Sequence, residues 1–505
     1  MSNLPLEQLV VKYQDFRKKL KAYRFADYLI GWDSETEAPS GCFDERSQMV
    51  GILSSESFKL MTCSDTVNLV NELYERKSEL TPLLALEIKK YKKELDQILN
   101  IPLTEYVKYN TLLASSQQKW AIAKNKSDFT LFRDTLKEII AYQKKLMKYY
   151  ETDELKGYDT LLDIYEEGIT EKDYDAFFDV LKRDLVPFVL EVSSRKSPAK
   201  KSLINKKFKE EKQEILSHYF LDVLKFDWQR GVLKKSEHPF TSGFGSTDVR
   251  VTTHYYEDNV YSNIFSVIHE GGHATYELQC DQTLDETFLG GGATMAMHES
   301  QSRLYENMIG RSRAFWEAHF DKLKTTFPSQ MKDITIDDVY YDVNRVERSL
   351  IRTEADELTY PIHIMLRYDL EKMLLEGNLA VDDLPKKWNE LMMSYLGIEV
   401  PNDKNGVLQD IHWAMGSFGY FPTYAYGSAI AAQLYYYMNK EFDVAESLRK
   451  KTTADVNEWL KEHVHKYGKT LSPNEMLIKA TGEAFNPKYY IDYLKNKYSK
   501  IYNIN

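Results

Sequence analysis

The chain has 505 residues, 43% hydrophobic and 28% charged, with a formal net charge of -11. That composition describes a globular protein, and its negative surplus excludes a general attraction for phosphate backbones, so no nucleic-acid partner is expected. Three scattered cysteines, Cys42, Cys63 and Cys280, are too few for a disulfide framework. Together with an N-terminus lacking an apolar run, they point to a reducing cytoplasm.

Taken in chain order, the apolar spacing is helical almost throughout. Residues 84–99, 129–150 and 173–192 carry apolar side chains three and four apart with charges between. A basic stretch, 195–212, contains seven lysines and reads as a surface connection. Ser242-Gly243-Phe244-Gly245-Ser246 is a turn-rich loop, and residues 248–255 alternate as a strand does, with Val249 and Val251 on one side. A short sheet there offers an edge to which a peptide can add itself as an extra strand. Residues 259–278 form an amphipathic helix with Val260, Ile264, Val267, Ile268 and Leu278 on its apolar side and Asp258 or Asn259 as cap. A Gly290-Gly291-Gly292 loop leads into a helical run over 293–304. Residues 336–360 read as a further helix, which Pro361 ends or kinks. Residues 413–438 contain no charge and are long enough to span a bilayer, but Pro422, three glycines and six tyrosines suit buried protein lining a channel. A last helix covers 455–466. No Pro/Gly/Ser-rich linker, repeat or low-complexity tract interrupts the chain, which predicts one domain over residues 1–505.

The sharpest motif is His269-Glu270-Gly271-Gly272-His273. Two histidines at i and i+4 project from one helix face and can share a metal ion, with the intervening glutamate placed as general base. Each glycine inside a helix costs roughly 0.5–1 kcal/mol relative to alanine. Nothing about folding favours the pair, whereas a metal site needing close backbone approach would. A catalytic zinc takes three protein ligands and keeps one position open. His298 or Glu299 could supply the third, but neighbouring helical residues point about 100° apart, so one of them does so.

Five ordered segments carry a family resemblance. They are Asp248-Val249-Arg250-Val251-Thr252, the histidine helix, His298-Glu299-Ser300-Gln301, Ile351-Arg352-Thr353-Glu354-Ala355-Asp356, and Gly406-Val407-Leu408-Gln409-Asp410-Ile411-His412-Trp413. The chain resembles the carboxypeptidase Taq family of zinc metallocarboxypeptidases over effectively its whole length. An early segment, Trp32-Asp33 with Pro39 and Gly41, is similar too, although Glu37-Ala38 stand where more apolar residues are expected. His238-Pro239-Phe240 also resembles a family segment without an assignable chemistry. The resemblance implies a mostly α-helical metallopeptidase with a deep central cleft and a small β-sheet beside the zinc helix. It implies Glu299 as third ligand, with His269 and His273, one zinc per chain that cobalt or manganese can replace, and a homodimer. His298 is then a packing or supporting residue.

The remaining roles follow from what peptide hydrolysis requires. Glu270 serves as base and returns the proton to the leaving amine. Oxyanion donors resemble those of more distant helical zinc peptidases, a histidine and a tyrosine downstream: His412 with Tyr424, or Tyr420. A free C-terminal carboxylate calls for arginine. Arg345, Arg348 and Arg352 recur at helical spacing on one face, with Arg352 favoured and Arg348 second, unless Arg352 pairs with Asp356. Arg250 is expected to brace the sheet. The activity expected is release of single amino acids, with broad specificity, from short peptides with free C-termini. An endo-acting zinc oligopeptidase is the alternative, and a non-catalytic peptide binder has no use for a base beside a metal.

Overall fold

The computed structural model describes residues 4–504. An N-terminal group of helices comes first: α1 (Leu6–Thr36), α2 (Phe43–Thr62), α3 (Ser64–Glu75) and α4 (Pro82–Leu99). α1, α3 and α4 bury their own small cluster, Leu9, Tyr13, Phe16, Leu20, Val70, Leu73, Ile88, Tyr91 and Leu95. A buried Arg17–Glu87 pair at 2.8 Å closes it. The other oxygen of Glu87 accepts the Phe288 N–H, tying this group to the rest of the chain.

The hairpin of α5 (Leu103–Lys126) and α6 (Thr130–Tyr150) precedes α7 (Asp159–Tyr165) and α8 (Glu171–Val180). A π-helical stretch, Leu181–Leu185, joins α8 to α9 (Val186–Ser193), so 173–192 is helical with a widened turn ahead of Pro187. After α10 (Glu210–Val223) come the three strands β1 (Gly231–Lys235), β2 (Thr241–Gly243) and β3 (Val249–Thr253). Their order is β1-β3-β2, with β1 parallel and β2 antiparallel to β3. β2 takes Ser242 and Gly243 out of the turn expected there. Val249 and Val251 are buried from the sheet.

The next helix, α11 (Val260–Gln279), is capped by Asn259, whose side chain accepts the Ser262 N–H. Its five apolar stripe residues are all buried. α12 (Met295–Arg303) follows, capped by Thr294, and runs into a π-helical turn, Leu304–Gly310. α13 (Arg313–Thr326), α14 (Ile336–Val343), α15 (Tyr360–Glu376) and α16 (Leu384–Leu396) lead to α17 (Pro422–Glu441). α18 (Val444–Arg449), α19 (Ala454–His463), α20 (Pro473–Thr481) and α21 (Lys488–Tyr502) complete the chain. The fold is mostly helical with one small sheet beside α11. Among the described residues, no helix is long and apolar enough to cross a membrane. α17 is instead buried over most of its length.

Two expectations need correcting. Packing against backbone demands Gly272 of the histidine motif after all, while Gly271 faces only leucine side-chain ends. A Cβ on Gly271 would stand 2.7 Å from Leu224 Cδ2 of the turn after α10, and one on Gly272 would stand 2.8 Å from Ser302 Cα of α12. Likewise a Cβ on Gly427 of α17 would meet the Ala296 carbonyl of α12 at 2.7 Å. These helices approach closely because nothing larger stands between them. The second correction concerns 336–360. α14 stops at Val343, and only a 3-10 turn, Arg352–Glu354, precedes α15. Asp356 ends the irregular stretch by accepting the N–H groups of Glu347, Leu358 and Thr359. Pro361 lies in the first turn of α15 and starts that helix, since its missing N–H is unneeded there.

Candidate metal centre and active site

α11 presents His269 and His273 on one face, and α12 brings Glu299 to meet them. Glu299 Oε2 lies 3.9 Å from His269 Nε2 and 3.7 Å from His273 Nε2. One ligand atom from each residue lies within 4.8 Å of the others. A tetrahedral ion with bonds of about 2.1 Å holds its ligands about 3.4 Å apart, so the two distances to Glu299 come within about half an ångström of such a site.

Donor chemistry fits as well as distance. His269 Nδ1 lies 2.9 Å from Glu306 Oε2. Burial alone would raise the Glu306 carboxyl, but Arg303, His269 and Arg311 hold it well below the usual range. It therefore accepts the Nδ1 proton, which leaves Nε2 as the ring atom that faces Glu299. Burial holds His273 neutral, its value lowered well below that of a free imidazole. Arg303 donates from Nε to Glu299 Oε1 at 2.6 Å and from Nη1 to Glu306 at 3.0 Å. Two imidazoles and one carboxylate suit a divalent metal. His298 is occupied elsewhere: one ring nitrogen faces His273 and the other Glu277.

Glu270 is 7% exposed. Its Oε2 accepts the Thr241 hydroxyl proton at 2.7 Å, so β2 orients the carboxylate.

A second cluster forms where α17 begins. His412 Nε2 lies 3.4 Å from the Tyr424 hydroxyl, and Tyr420 packs edge-on against Tyr424. Tyr424 stands one turn before Gly427, which touches Glu299. Burial, then Arg352, lowers His412 to about 4, while burial raises Tyr424 well above its ordinary value. Both are thus neutral N–H or O–H donors at neutral pH.

Arg352 belongs to this cluster. Its guanidinium is bound to Asp410 Oδ1 at 3.0 Å through Nε and 2.9 Å through Nη2, and donates to the Tyr360 hydroxyl at 3.3 Å. Its Cζ lies 5.4 Å from the Tyr424 ring centre. The Arg303 guanidinium covers the ring of Tyr360, which thus joins the two clusters. The arginine stripe itself does not exist, because no helix spans 344–351. Arg345 pairs with Asp342 and Glu347. Arg348 donates to the Leu396 and Gly397 carbonyls at the end of α16. Arg352 pairs with Asp410 in place of Asp356. Arg250 grips Asp248 and lies over Tyr28 and Trp32 of α1, bracing the sheet. His238 is exposed.

Sequence reasoning missed Thr241, Arg303 and Glu306. The last two follow Glu299 at i+4 and i+7, a spacing that was available to find them.

The profile of the carboxypeptidase Taq (M32) metallopeptidase family matches residues 12–498. Carboxypeptidase 1 of Bacillus subtilis is 41% identical over 97% of this chain and 98% of its own. Thermostable carboxypeptidase 1 of Pyrococcus furiosus is 37% identical over 98% and 99%. The crystal structure of an M32 carboxypeptidase from Deinococcus radiodurans superposes with a TM-score of 0.95 at 31% identity, covering 98% of this chain and all of that one. With a metal-competent helix pair at its centre and this likeness from end to end, the chain belongs to the carboxypeptidase Taq (M32) family of metallopeptidases.

Proposed function

We propose that this metal-dependent carboxypeptidase removes single residues from free C-termini of short peptides, with broad specificity, as one catalytic domain. One zinc ion would be held by His269, His273 and Glu299, and cobalt or manganese could stand in. The single observation that carries the reading is the convergence of those three ligand atoms.

When bound, the ion supplies Lewis acidity, polarising the scissile carbonyl and making water a better acid. Glu270, steadied by Thr241, takes the proton from the attacking water and passes it to the leaving amine. His412 and Tyr424 donate to the carbonyl oxygen as it gains charge. Their neutrality matters, since neither must shed or gain a proton to act. Arg352, already preorganised by Asp410, receives the terminal carboxylate through its remaining N–H groups. Arg348 is a weaker candidate for that role, because two backbone carbonyls already engage it.

Family resemblance supports a homodimer, and the three unpaired cysteines support a reducing cytoplasm. The decisive experiment assays paired peptides, free acid and C-terminal amide, before and after chelation. Single-residue release from the free acids alone, lost with chelator and restored by zinc, is the expected result. Efficient internal cleavage of the amides would replace this reading with the endo-acting oligopeptidase.

A further inference from the structure

Three features stand outside this scheme: His298, Glu277 one turn beyond His273 on α11, and the loop Gly290-Gly291-Gly292. The structure joins them. His273 Nδ1 lies 2.6 Å from His298 Nδ1, and His298 Nε2 lies 2.8 Å from Glu277 Oε1. The Gly292 N–H, which can only donate, also points at Glu277 Oε1 at 3.0 Å, so that oxygen is an acceptor. The proton order follows. His298 donates from Nε2 to Glu277, and its Nδ1 lone pair accepts the Nδ1 proton of His273. That arrangement turns the His273 Nε2 lone pair toward Glu299.

The glycines make room for this chain. A Cβ on Gly292 would stand 2.5 Å from His298 Cδ2, and one on Gly291 would stand 3.1 Å from Glu277 Oε2. Gly291 also has φ of +81°, a backbone conformation that suits glycine. Plain packing would be met by any side chain of similar size. The polar chain ending on a ligand histidine is what packing does not explain.

We propose that Glu277 and His298 are positioning residues that set the tautomer and ring orientation of His273 as a metal ligand. The two ligand histidines are then backed differently, His269 by the Glu306 carboxylate directly and His273 through a second imidazole. The inference rests on His269, His273 and Glu299 being the ligands.

The test compares metal-free wild type, His298→Gln, His298→Leu and His273→Ala. Glutamine keeps an amide oxygen to accept from His273 and an N–H to donate to Glu277, whereas leucine has neither. Zinc affinity is read by competition with a chromophoric chelator, and ligand geometry by the visible spectrum of the cobalt(II) proteins. His298→Leu is expected to bind zinc about 10- to 100-fold more weakly with a changed cobalt spectrum, and His298→Gln to recover most of both. Wild-type affinity and spectrum in His298→Leu overturn the proposal, as does an equal loss in both variants. Wild-type affinity in His273→Ala overturns the ligand reading instead. Should His298→Leu fail to fold, Glu277→Gln carries the test, because it removes only the charge: weaker zinc binding supports the chain and unchanged binding overturns it.

Discussion

The segment bearing His412 and Tyr424 hangs on one carboxylate, and replacing that group by its amide tests how. Glu371 of α15 is fully buried. Its Oε1 accepts the Trp413 indole N–H at 2.8 Å, and its Oε2 accepts the Tyr158 hydroxyl at 2.8 Å and the Gly419 N–H at 2.9 Å. It therefore grips both ends of the loop between the 3-10 turn His412–Met415 and α17. Glu371→Gln offers one oxygen where three donors need two. If that oxygen keeps Tyr158 and Gly419, the amide N–H₂ faces the Trp413 N–H, donor against donor, at a cost of about 1–3 kcal/mol. Unfolding entropy of about 2.1 cal/mol/K per residue makes that only about 1–3 °C in Tm for a chain this long, so Tm is a poor readout. Hydrogen exchange is a better one. Loop opening governed by the same loss should speed exchange of residues 412–421 about 5- to 150-fold, at 1.4 kcal/mol per tenfold, while α11 stays protected. Displaced donors should also lower kcat about 10- to 100-fold. Wild-type exchange and kcat in Glu371→Gln would refute the reasoning, and uniformly faster exchange across the chain would assign Glu371 to global stability.

The other predictions concern the reaction. Glu299→Ala should lose metal, while Glu270→Gln should keep metal and lose most turnover, both read by metal analysis beside kcat; full occupancy in Glu299→Ala would reopen the ligand assignment. Arg352→Ala should lower kcat/KM about 10- to 200-fold on free-acid peptides, the equivalent of one charge-assisted hydrogen bond of about 1.5–3 kcal/mol, and change little on amides. An equal loss on both substrates would make Arg352 a structural partner of Asp410. Truncating His412 should lower kcat about 100- to 1000-fold without moving the pH profile between pH 5 and 9. The sign follows from its depressed value of about 4. The fold's preference for the neutral form is fully present above the ordinary imidazole value and is lost progressively as pH falls from there through about 4. An acid limb that shifts in His412→Asn would show that His412 titrates in the working range.

What the sequence alone determined is what lies within a few residues of itself. His269 and His273 share a face because four residues make about one helical turn, and the helix around them shows in its apolar stripe and in the Asn259 cap. The strand Val249–Thr253 shows by alternation in the same way. Tertiary structure decided the rest, because the deciding groups come from distant parts of the chain. Gly272 looks like a metal requirement in sequence, yet the Ser302 backbone is what excludes a side chain there. Residues 336–360 have helical spacing, but spacing cannot register that the Asp356 carboxylate captures three N–H groups and that Pro361 begins a helix. The supposed arginine face fails with that helix, and Arg352 finds Asp410, 58 residues away, whose charge it shares with Arg367. Thr241 and Glu371 carried no motif, since a hydrogen bond made across the fold leaves no local pattern. It is made only when buried polar groups must find partners in the assembled fold.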